Sequence, residues 1–144
     1  MQCLRGFVMK TSYLIFSWLA FNLISMSANA EVVMSCGEAS GKAYYFPHAL
    51  EPNGAWKNDG YSGGVNNLVK LADGNYDIEF GGGKSINNSG GRVVPLGPDR
   101  RIFLTSVMSA IELYIFDREK NKLAILQYRT GLADKAATYI ADCY

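Results

Sequence analysis

The chain has 144 residues, of which 14 are Lys or Arg, 13 are Asp or Glu and one is His, so its formal net charge is +1. A balance this close to neutral excludes the basic surface that a nucleic-acid-binding protein needs. One His and three Cys supply few ligands for a zinc site, and no cofactor-binding motif is present. We therefore expect no nucleic acid, metal or cofactor.

Residues 1–30 have the three parts of a secretory signal peptide. Two basic residues precede an apolar run over 13–24, and an Ala-Asn-Ala cleavage motif follows at 28–30. The apolar run is shorter than the roughly 20 residues that a membrane-spanning helix needs. The sequence therefore predicts cleavage after residue 30 and one exported domain over 31–144, periplasmic or secreted and without a transmembrane anchor.

Cys36 and Cys143 are the two cysteines of the predicted mature chain. An even number of cysteines in an exported protein predicts one disulfide. The two lie 107 positions apart, whereas a catalytic redox pair is typically spaced as C-x-x-C. Closing a loop of that size stabilises a fold by roughly 4 to 5 kcal/mol. We therefore predict a structural disulfide that joins the first and last segments of the domain.

Short apolar or alternating segments separated by turn residues predict strands along the whole domain. The predicted strands are 42–46, 67–71, 76–80, 93–96, 101–107, 111–116, 122–128 and 137–143. Residues 51–64 and 84–92 are rich in Gly, Asn, Pro or Ser, which predicts an irregular stretch and an exposed loop respectively. The pattern indicates an all-β fold, a small antiparallel β-sandwich or barrel of about seven strands.

Two segments carry further expectations. The tail mixes helix-favouring Ala with strand-favouring residues, and we expect a strand because it must lie beside the first strand for the disulfide to close. In the predicted 111–116 strand, alternate positions are apolar on both faces, as is typical of a central strand. The hairpin over 111–128 is therefore the predicted core.

Four aromatic residues, Tyr44, Tyr45, Trp56 and Tyr61, fall within 18 positions among Gly, Asn and Pro. Aromatic side chains offer a large contact area with a polar edge and are enriched at binding hot spots. The alternative interpretation is that one face of the first strand and the Trp56 ring fill the core. The cluster predicts either a core or a binding surface.

Catalytic chemistry would have to use few residues. His48 is the single His, so a nucleophile activated by His has to be assembled around it, and no G-x-S-x-G elbow is present. A carboxylate pair for a glycosidase could come from Glu51 and Asp59, or from Asp77 and Glu79. The second pair is explained more simply as the solvated face of a strand.

Residues 39–44 read Ala-Ser-Gly-Lys-Ala-Tyr, and Trp56, Lys57 and Gly60 follow them. These residues resemble the A-S-G-x-x-Y and W-x-K-G motifs of the periplasmic C-type lysozyme inhibitors. Here the first motif comes directly after the first mature cysteine, and the Trp-to-Gly interval is longer than in that family. The resemblance implies a small exported β-barrel with a disulfide that inhibits a wall-degrading enzyme, with Ser40 and Lys57 as the residues to test.

Two functional hypotheses follow. The first is a non-enzymatic binding domain, expected to be monomeric, whose partner is an envelope protein or a glycan; enzyme inhibition is one form of it. This hypothesis predicts an exposed, ordered surface over residues 44–64. The second is a small secreted hydrolase, which predicts that His48 or a carboxylate pair lies in a cleft.

Overall fold

The computed structural model describes residues 30–49, 52–61, 64–131 and 133–144. The predicted signal peptide, apart from its last residue, and Glu51 of the first carboxylate pair lie outside these residues. In the described part of the chain, no helix is long and apolar enough to cross a bilayer.

Eleven strands and one 3₁₀ turn, Asn87–Ser89, make up the regular structure of the described residues. The strands are β1 Glu31–Cys36, β2 Ala39–Tyr45, β3 Ala55–Tyr61, β4 Asn66–Lys70, β5 Tyr76–Phe80, β6 Lys84–Ser85, β7 Arg92–Leu96, β8 Ile102–Val107, β9 Ala110–Asp117, β10 Lys122–Arg129 and β11 Lys135–Asp142.

The strands form two antiparallel sheets packed as a sandwich. The smaller sheet has the order β1-β4-β5-β6, and the larger has the order β3-β2-β11-β10-β9-β8-β7. The all-β sandwich expected from the sequence is confirmed, and the tail is a strand that pairs with β2 as predicted.

The core lies between the two sheets, because alternate side chains of each strand point toward the other sheet. Each large apolar side chain buried there contributes about 1.5 to 3 kcal/mol. The larger sheet supplies Phe103, Tyr114, Phe116, Leu123, Ile125 and Tyr139, and the smaller sheet and its turn supply Met34, Leu68, Ile78 and Ile86.

The predicted disulfide between Cys36 and Cys143 is present. It joins the end of β1, in the smaller sheet, to the residue that follows β11 in the larger sheet. Two backbone hydrogen bonds flank it, from Gly37 N to Asp142 O at 2.8 Å and from Tyr144 N to Ser35 O at 2.9 Å. The crosslink therefore ties the two sheets together at one corner of the sandwich.

The prediction of an irregular stretch over 51–64 is wrong for residues 55–61, which form the edge strand β3. β1 was also not predicted. β3 reads Ala-Trp-Lys-Asn-Asp-Gly-Tyr, in which Lys57 and Asp59 occupy the inward positions that are apolar in an ordinary strand. In β1, a bulge between Val32 and Met34 breaks the period-2 alternation. Both strands lack the pattern that identifies strands in a sequence.

The predicted exposed loop over 84–92 is wrong in part. Ser85 and Ile86 are buried, and the 3₁₀ turn that follows them covers one side of β5. As a result Asp77, expected on a solvated face, is buried and accepts hydrogen bonds from Ile78 N at 2.8 Å and Asn87 N at 3.1 Å. The carboxylate stabilises the turn by satisfying these two backbone donors.

The β9–β10 hairpin lies at the centre of the larger sheet, as predicted. Its inward residues Tyr114 and Phe116 are fully buried. On the other side of the same strand, Ile111 is 55% exposed. Only one face of this apolar hairpin is therefore covered by a second layer.

Candidate functional site

Two surfaces of the larger sheet carry the functional possibilities. One is the polar cleft, defined here as the open end of the face that looks toward the smaller sheet. The other is the outer face, defined as the side that looks away from it. Inward residues near the disulfide are buried, whereas Lys57 and Arg129, toward the opposite end of their strands, are exposed. The smaller sheet thus leaves that end of the inner face uncovered.

A buried carboxylate, that of Glu112, forms the floor of the polar cleft. Glu112 is only 3% exposed and accepts hydrogen bonds from Tyr61 Oη at 3.0 Å, Tyr114 Oη at 2.7 Å and Gln127 Nε2 at 2.5 Å. All three donors are neutral. Such donors satisfy a buried carboxylate because each hydrogen bond replaces one lost to water.

A second carboxylate, that of Asp59, lies in the same network. Its Oδ2 is 2.6 Å from Lys135 Nζ and accepts a hydrogen bond from Tyr139 Oη at 2.9 Å. Tyr139 also donates to Gln127 Oε1 at 3.3 Å, which connects the Asp59 group to the Glu112 group. One continuous chain of hydrogen bonds therefore crosses the cleft from β3 to β9.

The network shifts the pKa of several of its members. Burial opposes ionisation of Asp59, but the hydrogen bonds from Lys135 and Tyr139 outweigh it and hold its pKa below the usual value. Burial likewise opposes the charge on Lys135, and the hydrogen bond to Asp59 outweighs it and raises the Lys135 pKa. At neutral pH these two residues are a fixed ion pair.

The pKa values of two buried tyrosines of the cleft are raised above that of an ordinary surface phenol. Burial, followed by the charge of Glu112, raises the pKa of Tyr61 well above its usual value. Burial and the neighbouring Tyr61 and Glu112 do the same for Tyr114. Both hydroxyls therefore stay protonated and remain hydrogen-bond donors.

A cavity of about 250 Å³ opens above this network. Arg129 and Lys135, which lie directly opposite each other on β10 and β11, line this cavity and an adjoining one of about 300 Å³. In the described residues no group of three or more His, Cys, Asp or Glu could hold a metal ion. The carboxylates of the cleft are already engaged by protein donors.

The outer face is of a different chemical kind. Strands β7 to β11 expose large apolar side chains in adjoining positions: Val94, Leu96, Leu104, Ile111, Leu126, Tyr128 and Ile140, with Trp56 at one side. A groove of about 370 Å³ runs between several of them. Contiguous apolar surface of this kind marks interaction sites in folded proteins.

Four aromatic rings form one corner of the outer face. The ring of Tyr44 lies 5.5 Å from that of Trp56 and 5.3 Å from that of Phe46, and Phe46 lies 6.1 Å from Tyr128. The interplanar angles are 56°, 89° and 70° in that order. Trp56 is 69% exposed, so its ring does not fill the core.

The structure divides the aromatic cluster predicted from the sequence between the two surfaces. Tyr44 and Trp56 are paired across β2 and β3 on the outer face. Tyr45 and Tyr61 point inward, where both donate hydrogen bonds to carboxylates of the network. The same period-2 alternation therefore produces a polar site and an apolar site from one stretch of sequence.

Ser40 and Lys57, the residues implied by the resemblance, are not brought together. Ser40 pairs with Gly60 and lies on the outer face, whereas Lys57 pairs with buried Ala43 and lies on the inner face. Lys57 Nζ is 5.7 Å from the centre of the Tyr45 ring. The two residues are therefore on opposite sides of the sheet.

The residues suggested for hydrolysis are also separated. The Nδ1 atom of His48 is buried and makes no hydrogen bond within the described part of the chain. Asp77 holds the 3₁₀ turn of the smaller sheet through its hydrogen bond from Asn87 N. Of the carboxylates considered from the sequence that lie in the described residues, Asp59 is the one whose hydrogen bonds belong to the cleft network.

Sequence reasoning missed Glu112, Gln127 and Lys135. Glu112 is the one acidic residue within the apolar stretch Ala110–Phe116, and it shares the inward parity of Tyr114 and Phe116. An acid on the buried side of a central strand is unusual enough to have indicated a polar site.

Searches against protein-family models, curated proteins and solved structures found no match for this chain.

Proposed function

We propose that this chain is a non-enzymatic binding domain that docks a protein partner through the outer face of its larger sheet. The observation that carries the proposal is the contiguous apolar surface on the central strands, where Ile111 and Leu126 are 55% and 43% exposed. A sandwich of two sheets covers the inner faces only, so burial of this surface requires another molecule.

The edges of the larger sheet are protected against docking, which leaves its outer face as the docking surface. An exposed edge strand pairs readily with other chains unless it is protected, and inward-pointing charges and Pro are two common protections. β3 has Lys57 and Asp59 turned inward, and β7 contains Pro95. Both edges of the larger sheet carry such features, whereas the outer face carries much apolar surface toward the open end and its row of charges, Asp142, Lys122 and Asp117, at the disulfide end.

The aromatic corner favours a protein over a glycan. The Tyr44 ring is tilted by 56° to that of Trp56 and by 89° to that of Phe46, so these rings present no single flat surface. Tilted rings leave clefts into which apolar side chains fit, as at protein interfaces.

The hydrolase hypothesis has less support. Glu112 and Asp59 each accept several hydrogen bonds from fixed protein donors, and the lowered pKa of Asp59 removes it as a proton donor at neutral pH. Within the described residues, the buried Nδ1 atom of His48 has no hydrogen-bond partner that would orient the ring as a base.

The test compares two equally exposed apolar positions. Ile111→Lys changes the outer face, and Val32→Lys makes the same change in the smaller sheet, where Val32 is also 55% exposed. Each purified, oxidised protein is used as bait in a cell-envelope extract, and its fold is checked by circular dichroism. We expect a partner on the wild type and on Val32→Lys that is lost with Ile111→Lys. Equal capture by both variants would contradict the proposal.

A further inference from the structure

We propose that the partner of the outer face is a second copy of this chain, packed face to face about a two-fold axis; this inference rests on the proposed function. Three features of the described sheet carry it: its area, the place of its central strand, and the distribution of large and small side chains across it. It departs from the monomer expected from the sequence.

The area of the face is that of a protein interface. Seven strands spaced by about 4.8 Å, each rising about 3.4 Å per residue, give roughly 700 Å² for strands of five to eight residues. A standard stable interface buries about 800 Å² on each partner. Two copies of the outer face are thus large enough to form a dimer without any other contact.

The sheet order defines one natural axis. β10 is the middle strand of the seven, with β11, β2 and β3 on one side and β9, β8 and β7 on the other. A two-fold axis along β10 brings each strand of one half opposite a strand of the other half in the second copy. Such an isologous contact closes on itself and gives a dimer, not a filament.

Side-chain size differs between the two halves in a complementary way. One row across the sheet runs Gly60, Ser40, Ile140, Ala124, Ile115, Ile102, Leu96, so that its small residues lie on the β3 and β2 side. The row nearer the open end places Ala136 on β11 and Ile111 on β9, with Tyr128 between them. The axis sets Gly60, Ser40 and Ala136 of one copy against Leu96, Ile102 and Ile111 of the other, as close packing requires, while Ile140 meets Ile115 and Tyr128 meets its own copy.

Four outward residues of β10, Lys122, Ala124, Leu126 and Tyr128, lie along this axis. Leu126 is the β10 member of the middle row, between Thr138 on β11 and Leu113 on β9. On a two-fold axis it meets its own copy. The strands of two packed sheets cross at up to about 30°. Rotating one copy by that angle moves residues near the axis, such as Leu126, less than residues at the sheet edges.

The few charges of the face also permit self-association. The three rows nearer the open end contain two charged side chains, Lys42 on β2 and Arg92 on β7, and the charged row at the disulfide end, Asp142, Lys122 and Asp117, is not part of the proposed contact. The axis places β2 opposite β8 and β7 opposite β3, so neither cation meets its own copy. Arg92 instead approaches β3, which carries the exposed Trp56 ring, and cations bind the faces of such rings favourably.

Analytical ultracentrifugation of the oxidised full-length domain tests the inference over a range from about 1 µM to about 500 µM, a span that covers weak and standard interfaces. We expect a dimer for the wild type and Val32→Lys, and a monomer for Ile111→Lys. Leu126→Cys, treated with a bismaleimide crosslinker that spans about 10 Å, tests the axis itself, because packed sheets lie about 10 Å apart and a direct disulfide cannot bridge that distance. We expect a covalent dimer for this variant and none for Trp56→Cys, which lies far from the axis.

Other results would overturn the inference. If the wild type is monomeric at every concentration but Ile111→Lys still abolishes capture of an envelope protein, the second copy is wrong and the docking function stands. If the wild type is monomeric and no capture depends on the face, both proposals fail. A dimer that survives Ile111→Lys would place the interface elsewhere and would refute the inference as well.

Discussion

Removal of the disulfide should lower the stability of the domain by an amount that follows from the length of the loop it closes. Cys36 and Cys143 close a loop with a sequence separation of 107, which contains the whole larger sheet. Replacing both by Ser returns about 16 cal/mol/K of chain entropy to the unfolded state, or about 4.8 kcal/mol at 25 °C. Small domains have a total stability of about 5 to 15 kcal/mol, so the loss is a large part of it.

Urea unfolding followed by far-UV circular dichroism measures this loss. With a slope of about 1.5 kcal/mol/M, the midpoint of the double-Ser variant is expected about 3 M below that of the oxidised wild type. Reduced wild type serves as the control and is expected to match the variant. A midpoint that moves by less than about 0.5 M would refute the chain-entropy reasoning, because the flanking backbone hydrogen bonds would then maintain the corner unaided.

Three further changes test the sheet and the cleft. Gly41→Ala would place a Cβ in collision with the carbonyl oxygen of Thr138 on the adjoining strand, so we expect a loss of at least about 2 kcal/mol in urea unfolding, whereas Gly60→Ala, with no atom within 4 Å, should change little. Tyr61→Phe removes a donor from the buried glutamate and should cost about 1 to 3 kcal/mol, against near zero for Tyr144→Phe at a 78% exposed position; equal effects would contradict the network. Folding lowers the pKa of Asp59 from its unfolded value of 3.8, so its contribution to stability is present above that value and is lost as the pH falls through the folded pKa. The melting temperature of Asp59→Asn should therefore depend less on pH below about 4 than that of the wild type.

The fold was predictable because most strands carry their own signal. Alternating apolar residues identify β5, β9 and β10, and the cysteine count predicts the crosslink. β3 was not predictable in this way, because its inward residues Lys57 and Asp59 contact a polar network instead of the core. A strand on the border of a polar cleft has no apolar face to recognise.

The candidate sites were only partly predictable, for a related reason. The aromatic stretch indicated a surface, but the assignment of Tyr44 and Trp56 to one face and Tyr45 and Tyr61 to the other depends on the β2–β3 register. Glu112 gains its partners from four different strands, β3, β8, β9 and β10. No local pattern contains contacts made across a sheet.

The exposure of Trp56 has an optical consequence. The only other Trp of the chain is Trp18, in the predicted signal peptide, so emission from the mature domain would come from this ring alone. Because the ring is already 69% exposed in the folded monomer, unfolding should change its emission little, whereas occupation of the outer face should shift it to shorter wavelength. Fluorescence thus reports association and circular dichroism reports folding, in one unlabelled sample.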